Sequence, residues 1–193
     1  RRKAASLHLL MRVKELKMEI EIPEGVEVNV DGKKITAKGP KGENSRYFLY
    51  PKFKISKEGS KVILSMKEAT KKDKTMIGTY SAHVKNLLEG IKNGFEYKLK
   101  ICSGHFQMTV TFEKGRVMIN NFMGEKIPRK AKIPQEVEVK IDGDMITVSG
   151  YDKEKVGQSA ANIELATRRS GFDKRIFQDG CYILSKAGKE VRG

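Results

Sequence analysis

The chain has 193 residues, 38 % hydrophobic and 33 % charged, enough apolar content for a modest core in one large or two small domains. Its formal charge of +15 exceeds the ~2–8 that solubility of a small domain asks for, and it points to a polyanionic partner, nucleic acid before an anionic membrane surface. No apolar run approaches the ~20 residues of a membrane-spanning helix, and no long like-charge block signals wholesale disorder.

Residues 1–17 read as a flexible basic leader. Arg1-Arg2-Lys3 and the stretch 4–11 imitate a signal peptide, but His8 interrupts the apolar run and Arg12, Lys14 and Glu15 follow without a small-residue cleavage site. Met11 and Met18 are candidate starts of the folded part, and a cytosolic compartment is expected. Residues 22–39 (IPEGVEVNVDGKKITAKG) then return at 133–150 as IPQEVEVKIDGDMITVSG, with ten of eighteen positions identical at an offset of 111. Each copy predicts a hairpin. Residues 26–30 and 137–141 alternate apolar and polar, Asp31-Gly32 and Asp142-Gly143 supply a tight turn, and 35–37 and 145–148 run back. Pro23 and Pro134 stand where a strand begins and a missing N–H costs least.

A helix is expected after each copy, with Asp73 and Asp152 as N-caps. Ile77, Tyr80, Val84, Leu87 and Leu88 recur at helical spacing, as do Val156, Ala160, Ile163 and Thr167. Here the offset is only 79, so the first copy reads as carrying an insertion over residues 40–72, with strands near 46–50, 52–55 and 62–66. Three more strands are expected at 95–101, 106–112 and 117–122. The fold class predicted is α+β, two tandem duplicated domains over 18–92 and 93–193. Each is a small antiparallel sheet packed against one helix, divided where Gly90 and Asn93-Gly94 break the first helix.

Chemistry is sparse in this sequence. It holds no P-loop, GxGxxG, HExxH or CxxC motif. His8, His83 and His105 are too scattered for a metal site, and His105 has no nucleophile or carboxylate at a meaningful spacing. Cys102 and Cys181 read as reduced and buried. The Gly-rich run 38–42 reads as an exposed turn. No enzymatic activity and no cofactor are expected.

Basic residues are better organised. Lys126, Arg129, Lys130 and Lys132 occupy a predicted loop over 124–133. Lys153, Lys155, Gln158 and Asn162 lie at the start of the second helix, where the helix dipole favours phosphate. Arg168 and Arg169 close that helix, and Lys174, Arg175, Lys186 and Lys189 decorate the tail. Arg169, Lys174 and Arg175 stand beside Phe172 and Phe177, a mixture of guanidinium forks and aromatic faces that suits irregular RNA. Gly157, Ser159 and Ala161 give the second helix a small-residue face, open to close approach by a nucleic-acid backbone or by another domain.

The run IPEGVEV at 22–28, KGPKG at 38–42, NFMGEK at 121–126 and RIFQDGCY at 175–182 resemble the large-subunit ribosomal protein six family. The likeness is to its archaeal and eukaryotic branch, whose eukaryotic member is called large-subunit protein nine, and it covers residues 18–191. The last run is similar to that branch's R-x-F-x-D-G-x-Y motif, with Cys181 where the family usually has an aliphatic residue and Gln107 where relatives commonly have proline. The resemblance implies a duplicated α+β fold that binds large-subunit rRNA in domain VI. The site implied lies near the sarcin–ricin loop, beside the stalk base, neighbouring large-subunit proteins and the translation factors. It makes Lys126, Arg129, Lys130, Lys153, Lys155, Gln158, Asn162, Arg168, Arg169, Lys174, Arg175 and Lys186 the RNA-facing candidates. The alternative expectation is a non-ribosomal basic RNA-binding or protein-interaction scaffold.

Overall fold

A computed structural model describes residues 13–173 and 175–191, and the chain divides into two compact units between Asn93 and Gly94. The first unit begins with β1 (Val13–Glu21), β2 (Glu27–Asp31), β3 (Lys34–Gly39) and β4 (Gly42–Tyr47). β5 (Phe53–Glu58), β6 (Lys61–Ala69) and α1 (Lys71–Lys92) complete it. The second contains β7 (Phe95–Cys102), β8 (Thr109–Glu113), β9 (Arg116–Asn120), β10 (Arg129–Lys132), β11 (Glu138–Asp142), β12 (Met145–Gly150), α2 (Lys153–Ala166), β13 (Gly180–Lys186) and β14 (Lys189–Glu190).

Each unit builds two antiparallel sheets around its helix rather than the single sheet expected. Their orders are β2-β3-β4 with β1-β6-β5 in the first unit, and β11-β12-β7-β13-β14 with β10-β9-β8 in the second. This pairing explains the apparent insertion. The β5–β6 hairpin follows the repeated hairpin in the first unit, whereas its pairing counterpart, β8–β9, precedes the repeated hairpin in the second. The same hairpin is spliced into the chain at a different point in each copy, so the linear offset changes although the three-stranded sheets correspond, and the second unit extends its other sheet by β13 and β14.

Three sequence expectations are corrected at the element ends. The leader does not extend to residue 17: β1 pairs with β6 from Val13 onward and buries Ile20, because the apolar run 62–66 needs a neighbour on its second edge. The remainder of the leader, residues 1–12, lies outside the described residues. In both hairpins the left-handed position is the glycine alone. Asp31 pairs with Lys34 and Asp142 with Met145, so the two-residue loops are Gly32-Lys33 and Gly143-Asp144, with φ of +59° and +57° at the glycines. The cap of α1 is Thr70, not Asp73. The Thr70 hydroxyl accepts from the Asp73 N–H while the Asp73 carboxylate accepts from the Thr70 N–H at 2.9 Å, a reciprocal capping box.

The cores follow from period. In β7, Phe95, Tyr97, Leu99 and Ile101 are buried and the residues between them are not. Ile77, Val84, Leu87, Leu88 and Ile91 of α1 pack with Val28, Ile35, Val62, Leu64 and Met66. Val156, Ala160 and Ile163 of α2 pack with Leu99, Ile146 and Val148. The repeat also recurs at its glycines. A Cβ on Gly39 would stand 2.6 Å from the Ile91 side chain and 3.3 Å from the Gly25 carbonyl. On Gly150 it would stand 2.9 Å from Val156 and 3.2 Å from the Glu136 carbonyl.

Candidate nucleic-acid interface

All the sequence-derived candidates fall in the second unit, in three groups. The first is on α2, whose N-cap is Asp152 as expected, its carboxylate accepting from the Glu154 N–H at 2.9 Å. Lys155 is held by Glu136 at 2.5 Å, and the Tyr151 hydroxyl donates to the same carboxylate at 2.6 Å. Lys155 and then Tyr151 hold Glu136 below the usual carboxylate range, while Glu136 pushes the Tyr151 phenol up to about 12. Gln158 donates to Asn162, and Asn162 donates to the Lys132 carbonyl at 3.0 Å, joining the helix to β10. The Lys153 ammonium stands 5.3 Å over the Phe95 ring.

The small-residue face of α2 is partly turned inward, with Ser159 buried and Gly157 and Ala161 half-buried. Ser159 is buried and donates to the Lys155 carbonyl at 2.7 Å. A Cβ on Gly157 would stand 3.3 Å from the Tyr97 hydroxyl, so the small residues let α2 lie close to its own sheet.

The second group meets at the C-terminal end of α2. The segment 124–133 is not wholly a loop: residues 129–132 form β10, with Ala131 buried between exposed Lys130 and Lys132. Arg129 therefore faces inward. It forks onto the two Glu125 carboxylate oxygens at 2.7 Å each, donates to the Ala166 and Arg168 carbonyls at 2.9 and 3.2 Å, and lies 4.3 Å over Phe122. Four of the guanidinium's five N–H donors are thus engaged, two by Glu125 and two by carbonyls at and just beyond the end of α2. Arg129 chiefly holds Glu125 below the usual carboxylate range, with burial opposing and Arg169 assisting. Arg169 lies 4.3 Å over Phe172, while the Arg168 side chain is exposed.

A buried carboxylate anchors the tail to this group. Asp179 accepts from the Gly104 and His105 N–H groups at 2.7 and 2.9 Å and meets the His105 Nδ1 at 2.7 Å. Burial alone would push this carboxyl up; the donors of His105 and Gly104 outweigh it and keep Asp179 below the usual range. The His105 ring stacks on Phe177 at 5.1 Å, and Phe177 meets Phe172 edge-on at 5.0 Å. The motif over 175–182 is accordingly a joint of the fold. Beyond Asp179, the Cys181 N–H donates to the Thr167 hydroxyl, and the Cys181 thiol is fully buried and pushed up to about 12 by that burial. Cys102 is only half-buried, contrary to expectation, since it lies opposite Gly180 near the end of its strand. The loop carrying Gln107 is fixed as well, by the Asn121 amide donating to the Gln107 carbonyl at 3.0 Å.

The third group was only partly legible. Lys132 stands directly opposite Arg116 across the β9–β10 pair, and Lys130 opposite Met118. Glu113, Lys114, Arg116, Met118 and Lys130 line a depression on this sheet. Sequence reasoning missed Lys114 and Arg116, although the alternation about buried Val117 and Ala131 could have placed Arg116 and Lys130 on one face. Lys126 is exposed on the approach to β10, and Arg175 is 90 % exposed with its guanidinium against Asp173. Lys186 stands apart, at the end of β13 opposite Lys189. Lys174 lies outside the described residues. Among those residues no His, Cys, Asp and Glu side chains are grouped to hold a metal ion, and no helix is long and apolar enough to cross a membrane.

Two copies of one α+β plan match what comparison finds. The family model described as ribosomal protein L6 matches residues 22–94 and again residues 107–180, one match per copy. The large ribosomal subunit protein uL6 of Methanosarcina mazei is 50 % identical over 91 % of this chain and 99 % of its own length. That of Methanobrevibacter smithii is 48 % identical over 89 % and 96 %, and that of Methanococcus vannielii 47 % identical over 90 % and 96 %. The chain belongs to the ribosomal protein L6 family, in its archaeal branch.

Proposed function

We propose that this protein is a structural component of the large ribosomal subunit, with no enzymatic role, and that its second unit binds large-subunit rRNA. The observation that carries the reading is the split among its basic side chains. Arg129 and Lys155 are tied into the fold, whereas Arg116, Lys130, Lys132 and Arg168 present exposed charge on a +15 chain, and Arg175, paired with Asp173, is still 90 % exposed. Such side chains neutralise phosphates, and shape with 2′-hydroxyl contacts supplies the specificity for RNA. By the family resemblance the target is domain VI near the sarcin–ricin loop, beside the stalk base and the translation-factor site.

The test is affinity for a domain VI fragment against an unrelated duplex of equal length across a salt series. A preference for the fragment is expected, with a steep salt slope that falls by roughly 0.7–0.9 for each phosphate-contacting residue replaced by alanine among Lys130, Arg168 and Arg175. Equal binding of both RNAs would reduce the protein to a generic polycation. Salt-resistant binding to neither RNA but to a protein would favour the interaction scaffold.

A further inference from the structure

A cleft of about 370 Å³ opens between the end of α2 and the tail, a size in the range of about 300–1,000 Å³ typical of small-ligand sites. Its walls hold Leu165, Arg168, Arg169, Phe172, Phe177 and Tyr182. Leu165, Phe172 and Tyr182 are 54, 39 and 41 % exposed, so apolar and aromatic surface faces solvent where the core could have covered it. The platform is stiff. Arg169 covers one side of Phe172, Phe177 abuts its edge, and Phe177 is itself stacked on the His105 ring that Asp179 fixes. The two carboxylates in the wall are engaged by the protein: Asp179 by the 104–105 segment, and Glu164 by the Ile183 N–H. Their charges are balanced within the wall by Arg168 and Arg169, and exposed Arg168 sets a cation at the rim.

An aromatic floor beneath a cationic rim complements a flat π-face carried on a phosphate chain better than it complements an aliphatic side chain. We propose that this cleft receives one unstacked base of a single-stranded rRNA segment, lying against Phe172, with Arg168 on the adjoining phosphate. The proposal rests on the rRNA-binding reading above and adds to it a discrete base pocket, separate from the basic face of β9 and β10.

The test uses the full chain and three RNA probes of equal phosphate count: an oligoadenylate about six nucleotides long, within the site sizes of single-strand binders, its abasic counterpart, and a duplex. The domain VI fragment is titrated in parallel. The expected result is that the oligoadenylate binds at least about fivefold tighter than the abasic strand, the gain that stacking one base supplies. Phe172→Ala should abolish that preference, Phe172→Tyr should keep it, and both should bind the duplex as the unaltered chain does. Leu165→Glu, at a more exposed position, should abolish the preference without disturbing the core, and so covers the case in which Phe172→Ala unfolds the tail. Equal affinity for the adenylate and abasic strands would overturn the pocket, as would a preference that survives Phe172→Ala or Leu165→Glu. If the fragment binds while the base preference is absent, the pocket alone falls. If neither the fragment nor any oligonucleotide binds, the rRNA reading falls with it.

Discussion

The two units spend the same plan differently. The first folds a 22-residue helix onto its sheets with Ile77, Val84, Leu87, Leu88 and Ile91, so the helix serves chiefly as core. The second uses a 14-residue helix with Gly157, Ser159 and Ala160 against the sheet, and devotes its ends to polar wiring: Asp152 and the Lys155–Glu136 pair at the start, Arg129 at the finish. Small residues bring the helix near the sheet but bury less apolar area per turn, at roughly 25 cal/mol per Å². The second unit also carries two further strands, β13 and β14, that the first lacks. Duplication therefore conserved the turn and close-approach glycines while freeing one helix end to carry the arginine and phenylalanine surface.

The most disruptive way to probe this comparison is at the repeated glycines. Gly39→Ala and Gly150→Ala should each destabilise their own unit by about 1–3 kcal/mol, because the added methyl meets a buried side chain and a fixed carbonyl in both copies. Denaturant melts followed by residue-resolved hydrogen exchange would check this. Loss of protection confined to the altered unit is expected, and a neutral substitution in either copy would mean that the shared contact is not what retains the glycine.

Acid should test the capping box of the first unit next. Backbone donation from Thr70, with the Tyr50 hydroxyl assisting against burial, holds the Asp73 carboxyl at about 2, below its ordinary value. A carboxyl depressed on folding stabilises the folded state above its unfolded pKa of ~3.9 and loses that contribution as the pH falls towards 2. The amount at stake is about 2 kcal/mol, since Asp73 is almost wholly buried. Exchange protection of α1 should therefore decline between about pH 4 and pH 2, and Asp73→Asn should remove that decline while lowering stability near neutrality. An unchanged acid profile in the variant would show that another group controls the transition.

The smallest effect expected is at the caps. Thr70→Ala and Asp152→Ala should each cost about 1 kcal/mol. The loss at Thr70 should be the larger, since its capping box is reciprocal whereas Asp152 serves a single amide. Thermal melts of the two single variants would rank them, and the reverse order would show that the Asp73 side of the box holds α1 without Thr70.

Much of the fold was legible because period and turn chemistry are local. Alternation at 26–30 and 137–141 and the glycines at 32 and 143 marked both hairpins. β1, β10 and β13 were not marked, since Lys and Glu fill the first, four residues form the second, and the third follows a charged segment without a strong alternating lead-in. The site was less legible for a related reason. Charge and residue type are written in the sequence, but a side chain's partner is not. Arg129 and Lys130 are neighbours in the chain, yet one is engaged by two carbonyls at and just beyond the end of α2 and by a carboxylate, while the other stands open beside Arg116. His105 and Asp179 showed no meaningful spacing because 74 residues separate them.

That separation has a consequence for how the protein comes into being. The hydrogen bonds that tie the loop at 103–107 to the tail form when Asp179 arrives, after nearly all of the second unit has been synthesised. A chain broken off before that point can form the β9–β10 sheet face but not the stiff arginine and phenylalanine platform, whose rings are stacked through His105 onto the same joint. A chain ending before Asp179 would therefore lack both the carboxylate that holds the 104–105 segment and the joint on which the ring cluster rests.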